Sequence, residues 1–399
     1  MTKKSDTPAI RFKGFTDTWE QRKAIDIADY SKGNGYSKGD LTDAGTPIIL
    51  YGRLYTKYQF AISEVDTFAV SRNGAVYSQG NEVIVPASGE TADDIARASA
   101  VEKSGVLLGG DLNILRPFDF INPLFLALAI SNGEPQKELA KKAQGKSVVH
   151  IHNTDIQEVT IAYPSRTEQD RIVSVFRQLD NLITLHQRKY DKLTNVKKSM
   201  LEKMFPKNGS NVPEIRFKGF TEAWEQRKFE EIAVRSSVIC SDANLPRVEY
   251  EDIVSGAGRL NKDIYAKQSS KSGIAFHRGD VLYGKLRPYL QNWLLPTFDG
   301  LAVGDFWVLQ PQNADSSFLY RLIQSRQFDE VANQSTGTKM PRADWKLVSK
   351  TVFSIPSNIS EQAAIGTYFT ALDNLITLHQ RELEKLKNIK KSCLENMFV

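Results

Sequence analysis

Two stretches of this sequence occur twice, and that internal repeat limits the possible folds more than any other feature. Residues 8–28 read PAIRFKGFTDTWEQRKAIDIA, and residues 213–233 read PEIRFKGFTEAWEQRKFEEIA. Residues 168–205 and 361–398 share, in the same order, EQ, LDNLITLHQR, KKS, LE and MF. The chain therefore consists of two halves, each with a constant head, a variable body and a constant tail.

The divergence of the two bodies indicates a division of labour. Simple duplication followed by drift is the alternative interpretation, but drift erodes all parts of a repeat alike. Between heads and tails one faint echo remains, Gly110-Asp111 in the first half and Gly304-Asp305 in the second. We interpret the preserved ends as sharing one task and the unlike bodies as having different tasks.

Length and composition are typical of a globular chain of two or three domains. The 399 residues are 41% hydrophobic and 25% charged, and the net charge of +5 permits an acidic partner without requiring one. Cys240 and Cys393 are too few for a disulfide framework or a zinc cluster, which favours a reducing compartment. No apolar run approaches the ~20 residues of a membrane span, and residues 1–6 lack the apolar stretch of a signal peptide. We expect a cytoplasmic protein without a membrane partner.

Each constant tail has the pattern of a long amphipathic helix. Apolar residues recur every seven positions, with a second column four residues further on, which is the heptad pattern of a coiled coil. At 1.5 Å per residue, a tail of about 38 residues makes a rod of roughly 57 Å. Thr167 and Ser360, just before Glu-Gln, are the predicted N-caps. The residues predicted to form the core between the tails are Ile172, Leu179, Ile183, Leu193, Ile365, Leu372, Ile376 and Leu386.

Such a stripe is stable only against another apolar surface, and the simplest partner for each tail is the other tail. We favour an antiparallel pair, because it gives pseudo-two-fold symmetry with one body at each end of the rod. The alternative is that each tail packs only on its own body. His186 and His379 lie on the stripe and are predicted to be core residues rather than metal ligands.

The bodies are predicted to be mixed α/β. Short strand-like runs, such as residues 46–51, 81–85 and 306–309, alternate with turn-forming clusters, and helices are predicted at 123–130 and 317–331. The fold class is therefore α+β, with two mixed α/β domains, each followed by a long helix, and the two helices paired as an antiparallel coiled coil.

Several body loops combine cations, amides, aromatic rings and glycine, and these loops are the candidate DNA-binding segments. Arg and Lys suit guanine edges and phosphates, Asn and Gln suit adenine, and glycine lets backbone amides approach phosphate. Ordinary surface loops have a similar composition, which is the alternative interpretation. The candidate residues are Arg53, Tyr55, Lys57, Arg72, Asn73, Gln144, Lys146, Ser147, His150, Lys285, Arg287, Tyr289, Gln291, Asn292, Gln334, Thr336, Thr338, Lys339 and Arg342.

The sequence lacks the motifs of the common nucleotide and metal chemistries. Residues 144–147, Gln-Gly-Lys-Ser, resemble the end of a phosphate-binding loop, but Ala140 replaces the first glycine of that loop. Leu124 replaces the second proline of the Asn-Pro-Pro-aromatic signature of amino-methyltransferases. HExxH and paired CxxC patterns are absent. We therefore expect no catalytic residue, no metal site and no cofactor in this chain.

Two unlike bodies, each followed by a helix that carries EQxxI, LDxLIxLHQR and KKxxLxxMF, resemble the specificity (S) subunit of type I restriction-modification systems. The resemblance spans the full chain, and the heads and tails are its specific part. It implies that each body is a target-recognition domain that reads one half of a bipartite, asymmetric DNA sequence. It also implies that the paired helices fix the gap between the half-sites and dock two methyltransferase (M) subunits, which two restriction (R) subunits join.

The chemistry that this resemblance implies lies in those partners: adenine N6 methylation with S-adenosylmethionine, and DNA cleavage that needs ATP and Mg²⁺. The predicted target-recognition domains are residues 1–165 and 207–357, and the predicted spacer helices are residues 166–206 and 358–399. Two alternatives remain. One is a self-contained DNA methyltransferase or nuclease, which would bind its own cofactor or metal. The other is a scaffold whose bodies bind proteins rather than DNA.

Overall fold

A computed structural model describes residues 7–145, 148–207, 210–266, 269–334 and 340–399. The chain folds into two compact units, one formed by Met1–Leu185 with Leu383–Val399 and the other by His186–Glu382. Each unit contains one variable body together with parts of both constant tails. The halves of the sequence are therefore not the units of the fold.

The first unit is built from short strands and helices that alternate along the chain. Its strands are β1 (Glu20–Lys23), β2 (Ala28–Lys32), β3 (Leu41–Thr42), β4 (Thr46–Ile49), β5 (Ala61–Ile62), β6 (Phe68–Ala69), β7 (Tyr77–Gln79), β8 (Glu82–Pro86), β9 (Ser88–Gly89), β10 (Ser99–Val101), β11 (Ser104–Leu108), β12 (Leu112–Pro117), β13 (Val149–His150) and β14 (Thr160–Tyr163). Its helices are α1 (Arg53–Thr56), α2 (Ala92–Ile95), α3 (Pro123–Ile130), α4 (Gly133–Lys142), α5 (Asn153–Gln157) and the first part of α6 (Arg166–Lys203). The strands pair in the orders β2-β12-β8-β10-β5, β3-β6-β4-β11-β7, β1-β14 and β13-β9.

The second unit has a related but not identical arrangement. Its strands are β15 (Glu225–Lys228), β16 (Ala233–Ser236), β17 (Ile239–Cys240), β18 (Arg247–Val248), β19 (Ile253–Val254), β20 (Arg259–Leu260), β21 (Gly273–Phe276), β22 (Val281–Gly284), β23 (Trp293–Leu294), β24 (Gly300–Ala302), β25 (Phe306–Pro311) and β26 (Val352–Ile355). Its helices are α7 (Phe229–Ile232), α8 (Ser316–Leu322), α9 (Arg326–Ala332), α10 (Trp345–Lys350) and most of α11 (Ile359–Asn396). The strands pair in the orders β16-β25-β22-β23, β17-β21-β24-β18, β15-β26 and β19-β20.

The central strands β8 and β22 divide each body into two apolar layers. Successive side chains of a strand point to opposite faces of the sheet, so each strand serves both layers. In β8, Val83 lies in the main core of the first unit and Ile84 in a second cluster. In β22, Tyr283 and Leu282 divide in the same way between the two clusters of the second unit. Because both faces are covered, these strands read as continuous apolar runs.

Most of the predicted body elements are confirmed. The predicted strands correspond to β4, β8 and β25, and the first predicted helix to α3. The single helix predicted at 317–331 is wrong, because that segment forms α8 and α9. Ser325 separates them, since its Oγ accepts a hydrogen bond from Phe328 N at 3.3 Å and caps the start of α9.

Each head is fixed to its own half by a strand pair and a buried ion pair. Strand β1 pairs antiparallel with β14, and β15 pairs antiparallel with β26. Arg11 donates to both carboxylate oxygens of Glu168, at 2.7 and 2.8 Å, and Arg216 donates to both oxygens of Glu361, at 2.6 and 2.7 Å. Both glutamates are only 1% exposed. The arginine of the repeated IRFKGF and the glutamate of the repeated EQ thus form one structural unit.

The glutamine of EQ has a different role, which is to hold the start of a body helix. Gln169 Oε1 accepts a hydrogen bond from Asn122 N at 2.8 Å, and Gln362 Oε1 accepts one from Asp315 N at 2.8 Å. Asn122 and Asp315 are the N-caps of α3 and α8. The constant tails therefore fix the orientation of equivalent helices in two bodies of different sequence.

Each long helix begins one residue before its predicted N-cap. Because α6 starts at Arg166 and α11 at Ile359, the predicted N-caps Thr167 and Ser360 lie inside the first turn. Asn358 precedes α11, and its Oδ1 accepts a hydrogen bond from Ser360 N at 2.8 Å. At α11 the capping chemistry is as expected, but it belongs to Asn358, the residue before the helix.

The two constant helices run antiparallel where they meet. In the first unit Asp180 of α6 forms an ion pair with Lys390 of α11. In the second unit Lys197 Nζ lies 2.6 Å from a carboxylate oxygen of Asp373. In both cases residues from the first part of one helix meet residues from the last part of the other, and the repeat makes the two ion pairs equivalent.

Burial along the stripe is strongest toward the start of each helix. Ile172, Leu179, Ile365 and Leu372 are buried, whereas Ile183, Leu193, Ile376 and Leu386 are half-buried. The alternative in which each tail packs only on its own body is wrong. Phe398, near the end of α11, lies 5.9 Å from the ring of Phe125 in the first body. Phe205, just past the end of α6, lies 5.7 Å from the ring of Phe318 in the second body.

Within the described part of the chain, no helix combines the length and the apolar character needed to cross a membrane.

His186 and His379 contact each other within the second unit. Their Nδ1 atoms are 3.1 Å apart, so one ring donates an N–H to the other. Burial, followed by the charges of His186 and Lys189, holds the pKa of His379 below its ordinary value. In the folded protein His379 therefore resists taking up a proton.

We expect the second unit to lose stability as the pH falls through the ordinary histidine pKa. Below pH ~6.5 the unfolded chain binds a proton on His379 that the folded chain does not bind, so the free energy of unfolding decreases until the lower folded pKa is reached. Above pH ~6.5 this effect is absent. Denaturant unfolding at a series of pH values measures the slope. The substitution His379→Gln should flatten this slope, whereas His277→Gln, at an exposed site, should not. Equal slopes in the wild type and in both variants would contradict the role given to His379.

Candidate nucleic-acid interface

The central strand of each body continues into a short segment that is held by the same backbone hydrogen bonds in both units. After β8, Ala87 N donates to Asp111 O at 2.8 Å. After β22, Lys285 N donates to Asp305 O at 2.9 Å. The faint Gly-Asp echo in the sequence marks this shared position.

In each unit a later segment, which contains Ile151 or Ala343, pairs with the residues that follow the central strand. We call this later segment the returning segment, and we call the hydrogen-bonded arrangement the frame. Ile151 N donates to Ala87 O at 3.0 Å, and Ala343 N donates to Lys285 O at 2.9 Å. One residue before these donors, His150 pairs with Ser88 and Arg342 pairs with Leu286 in antiparallel bridges. His150 and Arg342 therefore occupy equivalent backbone positions, although their adjacent residues differ, Val149 and Ile151 in one body and Pro341 and Ala343 in the other.

In the first unit three candidate residues converge on this frame. His150 and Gln144 exchange two backbone hydrogen bonds, at 2.8 and 3.1 Å. The Oγ of Ser88 lies 3.1 Å from His150 Nδ1, and the Tyr55 hydroxyl donates to Ser88 O at 2.6 Å. Gln144 and His150 are exposed, so their polar atoms are available to a ligand.

Arg53 and Lys57 both pair with Asp66, a surface carboxylate of the same body, instead. Arg53 donates to Asp66 at 2.6 Å and also to Gln59 and to the backbone of Glu64, and its side chain is only 8% exposed. Lys57 binds the other carboxylate oxygen of Asp66 at 2.5 Å. Lys57 and then Arg53 hold the pKa of Asp66 below its ordinary value. The structure thus gives Arg53 a role in fixing its own loop.

Arg72 and Asn73 belong to a different surface, the turn between β6 and β7. The Arg72 guanidinium lies 5.0 Å from the ring centre of Tyr36 and pairs with Asp40. Hydrogen bonds from Ser37 and then from Arg72 lower the pKa of Asp40 to about 2. Asn73 is exposed at the tip of this turn. The contacts of Arg72 hold it on the second sheet of the body, apart from the frame.

In the second unit the frame carries a small charge cluster around Asp305. Arg342 donates to one of its carboxylate oxygens at 3.0 Å, and Lys285 Nζ lies 3.4 Å from the other. Burial alone would raise the pKa of Asp305, but Arg342 and Lys285 outweigh it and hold that pKa below its ordinary value. A charged Asp305 therefore positions two cations beside each other.

The loop that follows β22 has a strained and partly exposed backbone. Arg287 and Gln291 adopt left-handed conformations, with φ of 50° and 56°. Arg287 N donates to Pro341 O at 2.7 Å, which joins this loop to the returning segment. Tyr289 is exposed, whereas Asn292 is buried and only 8% accessible. The amide of Asn292 is therefore not available at the surface, in contrast to the side chain of Tyr289.

The remaining candidates lie in the connection that leads into the returning segment. Gln334 is exposed at the last described position before that connection in the second unit. Lys146, Ser147, Thr336, Thr338 and Lys339 lie outside the residues that the structure describes.

Sequence reasoning missed the residues that hold the candidates in place. Ser88 orients His150, and Asp305 orients Arg342. A serine or an aspartate beside a strand-like run does not by itself indicate such a role. The Gly-Asp echo is the one sequence feature that could have drawn attention to Asp305. Arg97 was also missed, and its guanidinium lies 5.6 Å from the ring centres of both Tyr55 and Tyr58.

This arrangement suits recognition of hydrogen-bond acceptors. Cationic side chains and an imidazole lie on segments that are hydrogen-bonded to the sheet. Side chains of this kind bind phosphate oxygens and the acceptor atoms of base edges. Among the residues described, no group of three or more His, Cys, Asp or Glu side chains is arranged to hold a metal ion.

Each half of the sequence matches one and the same domain family. The family of the type I restriction modification DNA specificity domain matches residues 16–195 and residues 223–388. The chain therefore belongs to this family of DNA specificity proteins, and within it to the specificity subunits of type I restriction-modification systems.

Two curated relatives are specificity subunits. The chain is 21% identical to the type I restriction enzyme MjaVIII specificity subunit of Methanocaldococcus jannaschii over 356 residues, which are 82% of this chain and 80% of that protein. It is 22% identical to the type I restriction enzyme EcoDI specificity subunit of Escherichia coli over 297 residues, which are 66% of each chain.

Solved structures share the fold. The S subunit of the type I restriction-modification system from M. genitalium superposes with a TM-score of 0.63 at 15% identity, over 98% of this chain and 99% of that one. A chain from a structural study of complex assembly and conformational transition in the type I system superposes with a TM-score of 0.51 at 13% identity, over 95% and 97% of the two chains. The fold class is thereby confirmed, with two recognition domains and long helices.

Proposed function

We propose that this chain recognises a bipartite, asymmetric DNA sequence, with one half-site read by each body, and that it carries no catalytic residues of its own. The observation that supports this proposal is the frame described above. The same backbone arrangement presents His150 in one body and Arg342 in the other. Two bodies with one geometry and different side chains suit two half-sites of different sequence.

The constant helices are proposed to serve two purposes. Each has 38 residues, or about 57 Å, which is ample for setting a separation of about one DNA turn, roughly 34 Å, between half-sites. Leu182 and Leu185 on α6, and Leu375 and Leu378 on α11, are exposed although they belong to the segment that is identical in both tails. Exposed apolar patches mark interaction sites, and two identical patches suit two identical partners.

We therefore propose two methyltransferase (M) subunits as the partners on these helices, with two restriction (R) subunits joining them, in the cytoplasm. In this proposal S-adenosylmethionine, ATP and Mg²⁺ act in the partner subunits.

A body exchange tests this proposal. We expect that replacing residues 30–160 by the equivalent body of another specificity subunit changes one half of the recognised sequence and leaves the other half unchanged. The measurement is sequencing of DNA that the chain, assembled with its methyltransferase subunits, selects from a random library. The affinity should also fall steeply with salt, because phosphate contacts release counterions. A change in both halves would contradict independent reading, and tight binding of S-adenosylmethionine by the isolated chain would favour a self-contained methyltransferase.

A further inference from the structure

We propose that His150 and Arg342 occupy one specificity-determining position that the two bodies share, at which Arg342 reads a guanine and His150 reads a purine. This inference rests on the proposed function, because it names residues that act within half-site recognition. The inference specifies one base pair in each half-site, whereas the proposed function specifies none.

His150 and Arg342 are held in the same backbone position of the two bodies. Four backbone hydrogen bonds, two in each unit, fix the central strand extension to its neighbours with lengths of 2.8 to 3.0 Å. Within this frame His150 is bridged to Ser88, and Arg342 is bridged to Leu286. A side chain on a sheet extension is held more closely than one on a free loop, which is what discrimination between bases requires.

Asp305 orients Arg342 without using all of its N–H donors. The Arg342 guanidinium donates to Asp305 at 3.0 Å, and 57% of the side chain remains exposed. A guanidinium has five N–H donors in a fixed plane, so the bond to Asp305 leaves a free edge. Two parallel N–H groups on such an edge match the O6 and N7 acceptors of guanine, and no other base presents that pair in the major groove.

His150 is oriented through its ring nitrogen Nδ1. Ser88 is buried, and its Oγ lies 3.1 Å from His150 Nδ1. When the serine hydroxyl donates to Nδ1, the ring proton resides on Nε2, and the His150 residue itself is exposed. A single N–H donor at that place suits the N7 acceptor that both purines present in the major groove.

Library selection with the full chain assembled with its methyltransferase subunits tests the inference. Arg342→Ala should relax the preference for guanine at one position of one half-site by about ten- to one-hundred-fold and leave every other position unchanged. His150→Ala should relax one position of the other half-site. Arg342→Lys should retain a weaker preference for guanine, because lysine keeps the charge but loses the paired donors.

The controls separate positioning from general charge. Asp305→Asn should weaken discrimination at the same position as Arg342→Ala, since it releases the guanidinium without removing it. Arg326→Ala removes an exposed arginine of the same unit that pairs with Glu330, and it should leave all base preferences unchanged. Thermal unfolding of each variant checks that the fold is intact, and Arg342→Lys gives the answer if the alanine variant does not fold.

The outcomes are distinct. If the wild-type complex selects no bipartite sequence, the proposed function fails and this inference fails with it. If the wild type selects such a sequence but the folded Arg342 and His150 variants select the same one, the proposed function stands and this inference is overturned. Relaxation at several positions, or in both half-sites from one substitution, would also overturn it.

Discussion

Replacing Arg216 by alanine should lower the free energy of unfolding of the second unit by about 3–5 kcal/mol. Arg216 forms a two-bond ion pair with Glu361, which is 1% exposed. Removing one partner of a buried pair leaves the other charge without compensation, and that penalty is much larger than the net stabilisation by the pair itself. After the substitution the indole of Trp224, 3.3 Å from Glu361 Oε1, is the remaining neighbour described as a hydrogen-bond donor to that carboxylate.

Denaturant unfolding measures this effect, and an exposed pair of the same residue types provides the control. Arg227→Ala breaks the ion pair with Glu225 at the protein surface and should change the free energy of unfolding by no more than about 1 kcal/mol. Combining Arg216→Met with Glu361→Leu should restore much of the loss, because no charge is then left buried. Equal effects of Arg216→Ala and Arg227→Ala would contradict this account. Arg11 and Glu168 allow the same experiment in the first unit.

Replacing Phe398 by alanine should destabilise the first unit by about 3–5 kcal/mol. The Phe398 ring is buried and lies 5.9 Å from Phe125 and 6.0 Å from Phe176. Truncating a buried phenylalanine removes its transfer free energy and leaves a cavity in the core. A loss of this size would reflect the packing of the segment that directly follows α11.

Hydrogen exchange resolved along the chain measures where stability is lost. Phe398→Ala should reduce the protection of α3 and β8 in the first unit, and Phe205→Ala should reduce that of α8 and β22 in the second. Leu378→Ala, at an exposed position of α11, is the matched control and should change the free energy of unfolding by no more than about 0.5 kcal/mol. Unchanged protection of α3 in the Phe398 variant would refute the role given to this residue.

The sequence predicted regular structure well wherever a local pattern carried it. Heptad spacing predicted both long helices, and apolar runs predicted the central strands. A continuous helix at 317–331 was wrong because the capping hydroxyl of Ser325 interrupts a pattern that is otherwise helical. The ion pair of Arg216 with Glu361 was not predicted, because a repeated arginine and a repeated glutamate give no sign that they meet across 145 residues.

The candidate site was predicted in part. Loop composition pointed to His150 and Arg342, but their equivalence depends on strand register, and register between distant segments is not written in local sequence. Composition also pointed to Arg53 and Asn292, which the structure places in internal contacts. Cationic and amide side chains are common both in binding loops and in contacts within a protein. Only the neighbouring residues decide which of the two roles such a side chain has.

The last part of α11 belongs to the first unit, and this has a consequence for biosynthesis. The first unit includes Leu383–Val399, so its core lacks Phe398 until that residue has been translated. At ~5–20 residues per second, the roughly 190 residues that follow the end of α6 take on the order of 10–40 seconds to synthesise. During that interval the nascent first body exposes an apolar patch around Phe125 and Phe176, and chaperone binding should be concentrated there.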